Sequence, residues 1–253
     1  MKLIQLSDLH LTAQGGNLHG RDPEQQLKAA IADINAHHCD ADLVVISGDL
    51  SDDGSAASYA FLASALAELQ LPWRVTMGNH DDRETFLAQF PTLADENGFV
   101  QNVTSVGDDC VILLDSLHAG DVAGTLCSAR LAWLEQQLQA AEGKNVFLFL
   151  HHPPMSIGLP ALDNVRLAPE AADALYQVCH RFGNVRHISA GHVHRPASGS
   201  WRGISFSTIR GTNHQSALRF APGFEVSLEA PQYAIFLTTE EGHTVHFHDF
   251  PCG

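Results

Sequence analysis

Positive charge is scarce in this chain: 14 Lys and Arg stand against 29 Asp and Glu, a formal charge of -15. Such a surface repels polyanions and leaves no basic stripe to track a nucleic-acid backbone, so a long nucleic acid is not expected as a partner; a small anion drawn by a local metal is. Long apolar runs are missing too. The first residues meet Asp8 before any apolar stretch reaches signal-peptide length, and no later stretch approaches the roughly 20 residues of a membrane span. A cytoplasmic location with no membrane partner is the resulting expectation. Cysteine is sparse: Cys39, Cys110, Cys127, Cys179 and Cys252 form no C-x-x-C pair. That excludes a disulfide framework and a thiolate zinc knot, and the thiols are expected to be reduced and mostly buried. Internal repeats, low-complexity tracts and a clear linker are lacking as well.

What remains is a chain of 253 residues, 45% hydrophobic, long enough to bury a sizeable core as one large domain or two small ones. Leu3 to Leu6 reads as a short buried strand, and a polar, Gly-rich loop follows over residues 13–20. Asp22-Pro23-Glu24-Gln25 then supplies an N-cap with proline at the first helical position. Leu27, Ala30, Ile31 and Ile34 recur at helical spacing on one face. Leu43 to Ile46 is a second strand. The alternation continues through a helix carrying Tyr59, Leu62, Leu66 and Leu69, strands over residues 73–77 and 111–114, and a helix with Leu131, Leu134 and Leu138. It ends with a strand over 146–150, a helix over 171–179 and a strand over 185–189. Sheets covered by helices are implied. Beyond about residue 200 only strand signals remain: residues 204–209, 233–238, and a turn at Glu240-Glu241-Gly242 into 244–250. The stretch 211–231 between them reads as a long loop.

Histidine is abundant, with sixteen residues, and metal-ligand types cluster just after the apolar strands, where α/β units usually bind ligands. Asp8-Leu9-His10 follows the first strand. Ser47-Gly48-Asp49 follows Ile46, Gly78-Asn79-His80-Asp81 follows Met77, His151-His152-Pro153-Pro154 follows Leu150, and Gly191-His192-Val193-His194 follows Ala190. Carboxylates mixed with imidazoles, and no thiolate, suit Mn, Fe, Zn, Co or Ni better than an all-oxygen Mg or Ca site. Alternate residues in Asp8-x-His10 and His192-x-His194 would point the same way from extended backbone, while Gly48, Gly78 and Gly191 would let the chain turn tightly beside the ions.

These elements, in this order, resemble the calcineurin-like metallophosphoesterase signature of D-x-H, G-D, G-N-H-D/E, H and G-H-x-H, and they span Asp8 to His194. The resemblance implies a four-layer α/β/β/α sandwich of two mixed β-sheets flanked by helices. A catalytic core over residues 1–210 would be completed by a loop and strands over 211–253 within the same domain. It also implies two divalent or trivalent metal ions. One would be held by Asp8, His10, Asp49 and His194, the other by Asp49, Asn79, His151 and His192, with Asp49 bridging. His152 is an alternative to His151; the family's H-x-P spacing favours His151. A metal-bound hydroxide would attack phosphorus in line. His80 would assist the leaving alkoxide, with Asp81 orienting its imidazole.

Within the superfamily the chain is most similar to bacterial class III cyclic nucleotide phosphodiesterases and glycerophosphodiesterases. A small phosphodiester, either a 3',5'-cyclic nucleotide or a glycerophosphodiester, is the expected substrate. The alternatives are a phosphomonoesterase of the same fold and a non-catalytic protein-binding scaffold, although a scaffold would usually have lost a ligand. His214, in Gly211-Thr212-Asn213-His214, is either a substrate-pocket residue or an ordinary loop histidine. Arg21 either meets an anionic group of the substrate or is a surface arginine. His19, His37, His38, His118, His180, His187, His243, His246 and His248 are expected in solvent-facing or helix-terminal positions. The 211–231 loop would cap its own pocket or contact a neighbour in a homo-oligomer.

Overall fold

The computed structural model describes residues 1–13 and 16–251; the expected Gly-rich loop falls partly outside them and Cys252 wholly so. The first half of the chain forms β1 (Lys2–Leu6), α1 (Pro23–His37), β2 (Leu43–Ser47), α2 (Ala56–Glu68), β3 (Trp73–Thr76) and α3 (Arg83–Gln89). Next come β4 (Asn102–Val106), β5 (Asp109–Leu114), α4 (Ser128–Ala140), β6 (Asn145–Leu150), α5 (Pro160–Asp163), α6 (Pro169–Phe182) and β7 (Val185–Ala190). The remainder is β8 (Ala197–Trp201), β9 (Ile204–Thr208), β10 (Gln215–Ser216), β11 (Val226–Ser227), β12 (Gln232–Thr239) and β13 (Gly242–Asp249).

Two mixed sheets result, in the strand orders β13-β12-β1-β2-β3 and β4-β5-β6-β7-β9-β8. In the first, β1 runs parallel to β2 with Leu3 opposite Leu43, and antiparallel to β12 with Leu3 opposite Phe236. In the second, β5, β6, β7 and β9 run parallel. Three cores separate four layers. Leu3, Leu43 and Val45 of one sheet pack with Val111, Phe147 and Phe149 of the other in the middle. Ile4, Val44 and Ile46 face outward onto Leu27, Ile31, Leu62 and Leu66 of α1 and α2. Ile112, Leu148 and Ile188 face Leu134, Leu138 and Leu175 of α4 and α6. Both faces of each central strand are thus buried, which is why β2 and β5 are fully buried along their length. The fold is the α/β/β/α sandwich that the resemblance implies.

Asp22 caps α1 as its sequence indicates, accepting from the amides of Glu24 and Gln25. Some elements carry no apolar signature in the sequence. Strand β4 (NVTSV) is polar and half-exposed, and β8 (ASGSW) carries small polar residues at the sheet edge. The stretch 211–231 is not a plain loop: β10 and β11 pair within it, Gln215 opposite Ser227. Cys110 and Cys179 are buried, but Cys39 and Cys127 are exposed, so burial of most thiols does not hold among the described residues. Among those residues no helix is long and apolar enough to cross a membrane.

One histidine expected at the surface lies deep inside. His187, on β7 between the sheets, is only 4% exposed. Its Nε2 meets Ser207 Oγ at 2.8 Å and its Nδ1 meets His243 Nε2 at 3.0 Å. A strand histidine can face inward where such partners satisfy both ring nitrogens, and nothing in its own short run of sequence shows them. Burial, reinforced by His243, pushes its pKa down to about 3. The unfolded chain takes up a proton near the ordinary value of about 6.5, and the folded one does not until far lower. Stability from this residue is therefore complete above that value and drains as pH falls toward 3. Between pH 7 and pH 5, wild type is expected to lose about 2 kcal/mol more than His187→Asn in denaturant titrations. Equal losses in the two proteins would remove this role.

Candidate metal centre

The five polar clusters occupy the loops leaving the carboxyl ends of β1, β2, β3, β6 and β7. Because the two sheets pack face to face, their loops meet at one edge: His151 Nε2, from the second sheet, lies 3.2 Å from Asp49 Oδ2, from the first. The backbone there is not extended, contrary to the expectation from residue alternation. Asp8, His10, Asp49, His192 and His194 all have φ between 44° and 68°. Each such residue costs on the order of 1 kcal/mol or more. The strands have already ended at these positions, and the left-handed turns swing the side chains inward toward one another. Cross-loop hydrogen bonds hold them: Asp8 N donates to Gly48 O at 3.0 Å, His10 N to Asp49 O at 2.9 Å, and His192 N to Asp8 Oδ1 at 2.9 Å. Two glycines make the approach possible. A Cβ on Gly78 would lie 2.1 Å from Asp49 Oδ1, and one on Gly191 would lie 1.9 Å from Ser7 Oγ.

Asp8, His10, Asp49 and His194 bring one donor atom each within 4.8 Å of one another. His194 Nε2 is 3.3 Å from Asp8 Oδ1, and His10 Nε2 is 3.5 Å from Asp49 Oδ2. On the other side of Asp49, His151 Nε2 also faces Asn79 Oδ1 at 3.2 Å. The far ring nitrogens are tied down. His10 Nδ1 donates to Asp52 Oδ1 at 2.9 Å, His151 Nδ1 to Ser47 O at 2.9 Å, and His194 Nδ1 to the His214 carbonyl at 2.8 Å. That arrangement fixes the tautomer and aims each Nε2 lone pair inward, as metal-binding histidines require. Within this cluster two buried atoms, Asp8 Oδ2 and His192 Nε2, have no hydrogen-bond partner among the described residues. Orphaned donors and acceptors of this kind are costly unless something else engages them. Carboxylates, imidazoles and one amide oxygen fit a first-row transition metal.

The charges agree with this. Burial alone would raise Asp8 and Asp49, but His194 and His151 beside them outweigh it and keep both carboxyls well below the usual range. Burial would push His151 down, yet Asp49 and Asp8 hold it at about 9. His194 is likewise raised, against burial, by Asp8. His192 is kept neutral, at about 3, by burial and by His151. Positive charge beside these two carboxylates is what the site favours, and a cation would supply it in place of the two protons.

His152 is placed differently from His151. Its Nδ1 meets Ser116 Oγ at 2.8 Å and its Nε2 donates to Val122 O at 3.2 Å, so both nitrogens have protein partners, although one of them lies within 4.8 Å of donor atoms of His151 and His192. Asp81 also departs from expectation. Its carboxylate accepts from the amides of Leu50, Ser51 and Gly78 and from Tyr59 Oη, bracing the Asp49 loop, and none of its hydrogen bonds reaches His80. Burial and Asp49 raise it to about 7. The carboxylate beside His80 is Asp52, whose Oδ1 is 3.5 Å from His80 Nδ1 while that nitrogen donates to Asp52 O at 3.1 Å. Asp52 was legible only as part of the acidic run after Asp49, with no spacing rule to single it out.

His80 opens onto a cavity of about 290 Å³ whose inner wall includes His10, Asp49, Asn79, His192 and His194. His214 lines it as well, with its ring 4.5 Å from that of His194 and 5.0 Å from that of His10. Arg21 is not among the lining residues. Its guanidinium donates to the carbonyls of Asn213, Leu228 and Glu229, pinning the 211–231 segment to the loop that follows β1.

The Calcineurin-like phosphoesterase family model matches residues 1–196. A probable cyclic nucleotide phosphodiesterase from Rhodopseudomonas palustris is 42% identical over 240 residues, 92% of this chain and 87% of that one. A probable glycerophosphodiester phosphodiesterase from Arcobacter nitrofigilis is 32% identical, over 97% of this chain and 92% of that one. Among solved structures, a dimetal phosphatase from Danio rerio superposes with a TM-score of 0.71 over 99% of both chains at 16% identity, a likeness of fold. With that match across most of its length, and with relatives of this identity and coverage, the chain belongs to the calcineurin-like phosphoesterase family.

Proposed function

We propose that this protein hydrolyses small phosphodiesters, 3',5'-cyclic nucleotides or glycerophosphodiesters, at two metal ions. Asp8, His10, Asp49 and His194 would hold one, and Asp49, Asn79, His151 and His192 the other. The observation that carries this reading is the position of Asp49, whose Oδ2 is 3.5 Å from His10 Nε2 and 3.2 Å from His151 Nε2 in two different donor groups. When bound, such a metal pair supplies Lewis acidity toward phosphoryl oxygen and lowers the pKa of a water. The protein's own residues do the rest. The buried carboxylates and tethered imidazoles fix the reacting centre and exclude bulk water from behind it. His80, 41% exposed at the cavity, holds a proton for the departing oxygen, and Asp52 orients its ring. His214, packed beside His10 and His194, lines the same cavity, where it can contact the phosphoryl group or its ester. A cavity of about 290 Å³ suits a small molecule, and an acidic chain disfavours a polymer. The relatives named as cyclic nucleotide and glycerophosphodiester phosphodiesterases support the diester reading.

The test is turnover by purified protein reconstituted with Mn, and separately with Fe and Zn. The substrates are bis(p-nitrophenyl) phosphate, p-nitrophenyl phosphate and 3',5'-cyclic AMP. Diester hydrolysis is expected. A preference for the monoester would move the protein to the phosphatases, and no turnover despite two bound metals would sink the enzymatic reading.

A further inference from the structure

The cavity has a second wall for which phosphate chemistry has no use. The cavity is also lined by Val122, from the segment after β5; Leu162, on α5; Val165, just beyond it; and Phe224, in the β10–β11 hairpin just before β11. Four apolar side chains reach one cavity from three segments of chain. Val122 is 51% exposed and Phe224 56%, and both belong to the small set of large hydrophobics left open to solvent among the described residues. The hairpin that carries Phe224 is held in place. Arg195 donates to Ser216 O and pairs with Glu229, which also pairs with Arg210.

Apolar surface kept open inside a polar site is stabilised when a ligand covers it. The hydroxyls of a glycerol ester would lose water against this wall and gain no partner. A nucleobase offers a flat π-face that stacks on an aromatic side chain and packs on aliphatic ones. We infer that Val122, Leu162, Val165 and Phe224 form a subsite for a flat aromatic substituent of the diester, such as a nucleobase, with Phe224 as a specificity-determining residue. This rests on the diesterase reading and narrows its substrate class to cyclic nucleotides over glycerol diesters.

The experiment compares kcat and KM of the metal-loaded wild type and Phe224→Ala on 3',5'-cyclic AMP and on glycerophosphoethanolamine, with Phe224→Trp as the variant that keeps the stacking face. The ratio of kcat/KM for cyclic AMP over the glycerol diester is expected to fall roughly tenfold in Phe224→Ala, the loss carried by KM, and to be retained in Phe224→Trp. An unchanged ratio, whether both substrates weaken together or neither does, overturns the subsite. So does a change of oligomeric state in Phe224→Ala by size-exclusion chromatography, which would make the hairpin a contact between copies. If the loaded wild type turns over neither diester, the functional reading fails separately. Equilibrium binding of the same two compounds then tests the wall: the same differential loss supports it and equal binding overturns it.

Discussion

Asp49→Asn is expected to abolish diester hydrolysis, lowering kcat/KM by at least ~10³-fold, and to strip metal from the protein. The expectation rests on where the carboxylate sits. Asp49 is 1% exposed and lies between His10 and His151, and its Oδ1 accepts the backbone amide of His80. An amide of the same shape keeps that last hydrogen bond, so the loop geometry is preserved while the negative charge shared by the two donor groups is removed. Without that charge the neighbouring imidazoles face one another with less compensation, and each cation would lose its common anionic ligand. Turnover assays together with metal analysis of the variant check this, and thermal denaturation establishes that it is folded.

The second large effect concerns the leaving group. His80→Gln is expected to lower kcat about 10²-fold on 3',5'-cyclic AMP and on glycerol diesters, whose departing alkoxides need a proton. On bis(p-nitrophenyl) phosphate it should change kcat by less than about fivefold, because a nitrophenolate departs as a stable anion. His80 sits beside the proposed metal ligands rather than among them: its ring packs edge-on against His10 at 4.7 Å and its Nδ1 is anchored by Asp52. Metal content should therefore stay at the wild-type level in this variant. Equal losses on both kinds of substrate would assign His80 to positioning of the phosphoryl group instead.

Much of this arrangement was legible in the sequence, because two signals coincide. Apolar strands mark where the chain is buried, and the polar residues that interrupt it directly after a strand must gather at the strand ends. Asp8, His10, Asp49, Asn79, His151, His192 and His194 are brought together there. What was not legible depends on partners far away along the chain. The inward turn of these side chains relies on left-handed backbone at five non-glycine positions, which hydrogen bonds between loops impose. Asp81 braces the Asp49 loop through backbone amides of residues 50, 51 and 78, and Asp52 takes the place beside His80 that was expected of Asp81. His151 and His152 are neighbours with the same side chain; Ser116 and Val122, tens of residues away, are what set them apart. His187 is hidden for the same reason, through Ser207 and His243. Edge strands such as β8 escaped because an edge has no need of apolar residues on both faces.

The central claim is that Asp49 joins two cations in one site. Metal content per chain, determined on protein loaded with Mn or Zn and then freed of excess ions, tests it most directly. Two equivalents are predicted for wild type and His80→Gln, and one or fewer for Asp49→Asn. A single equivalent in wild type, or two retained in Asp49→Asn, would contradict it.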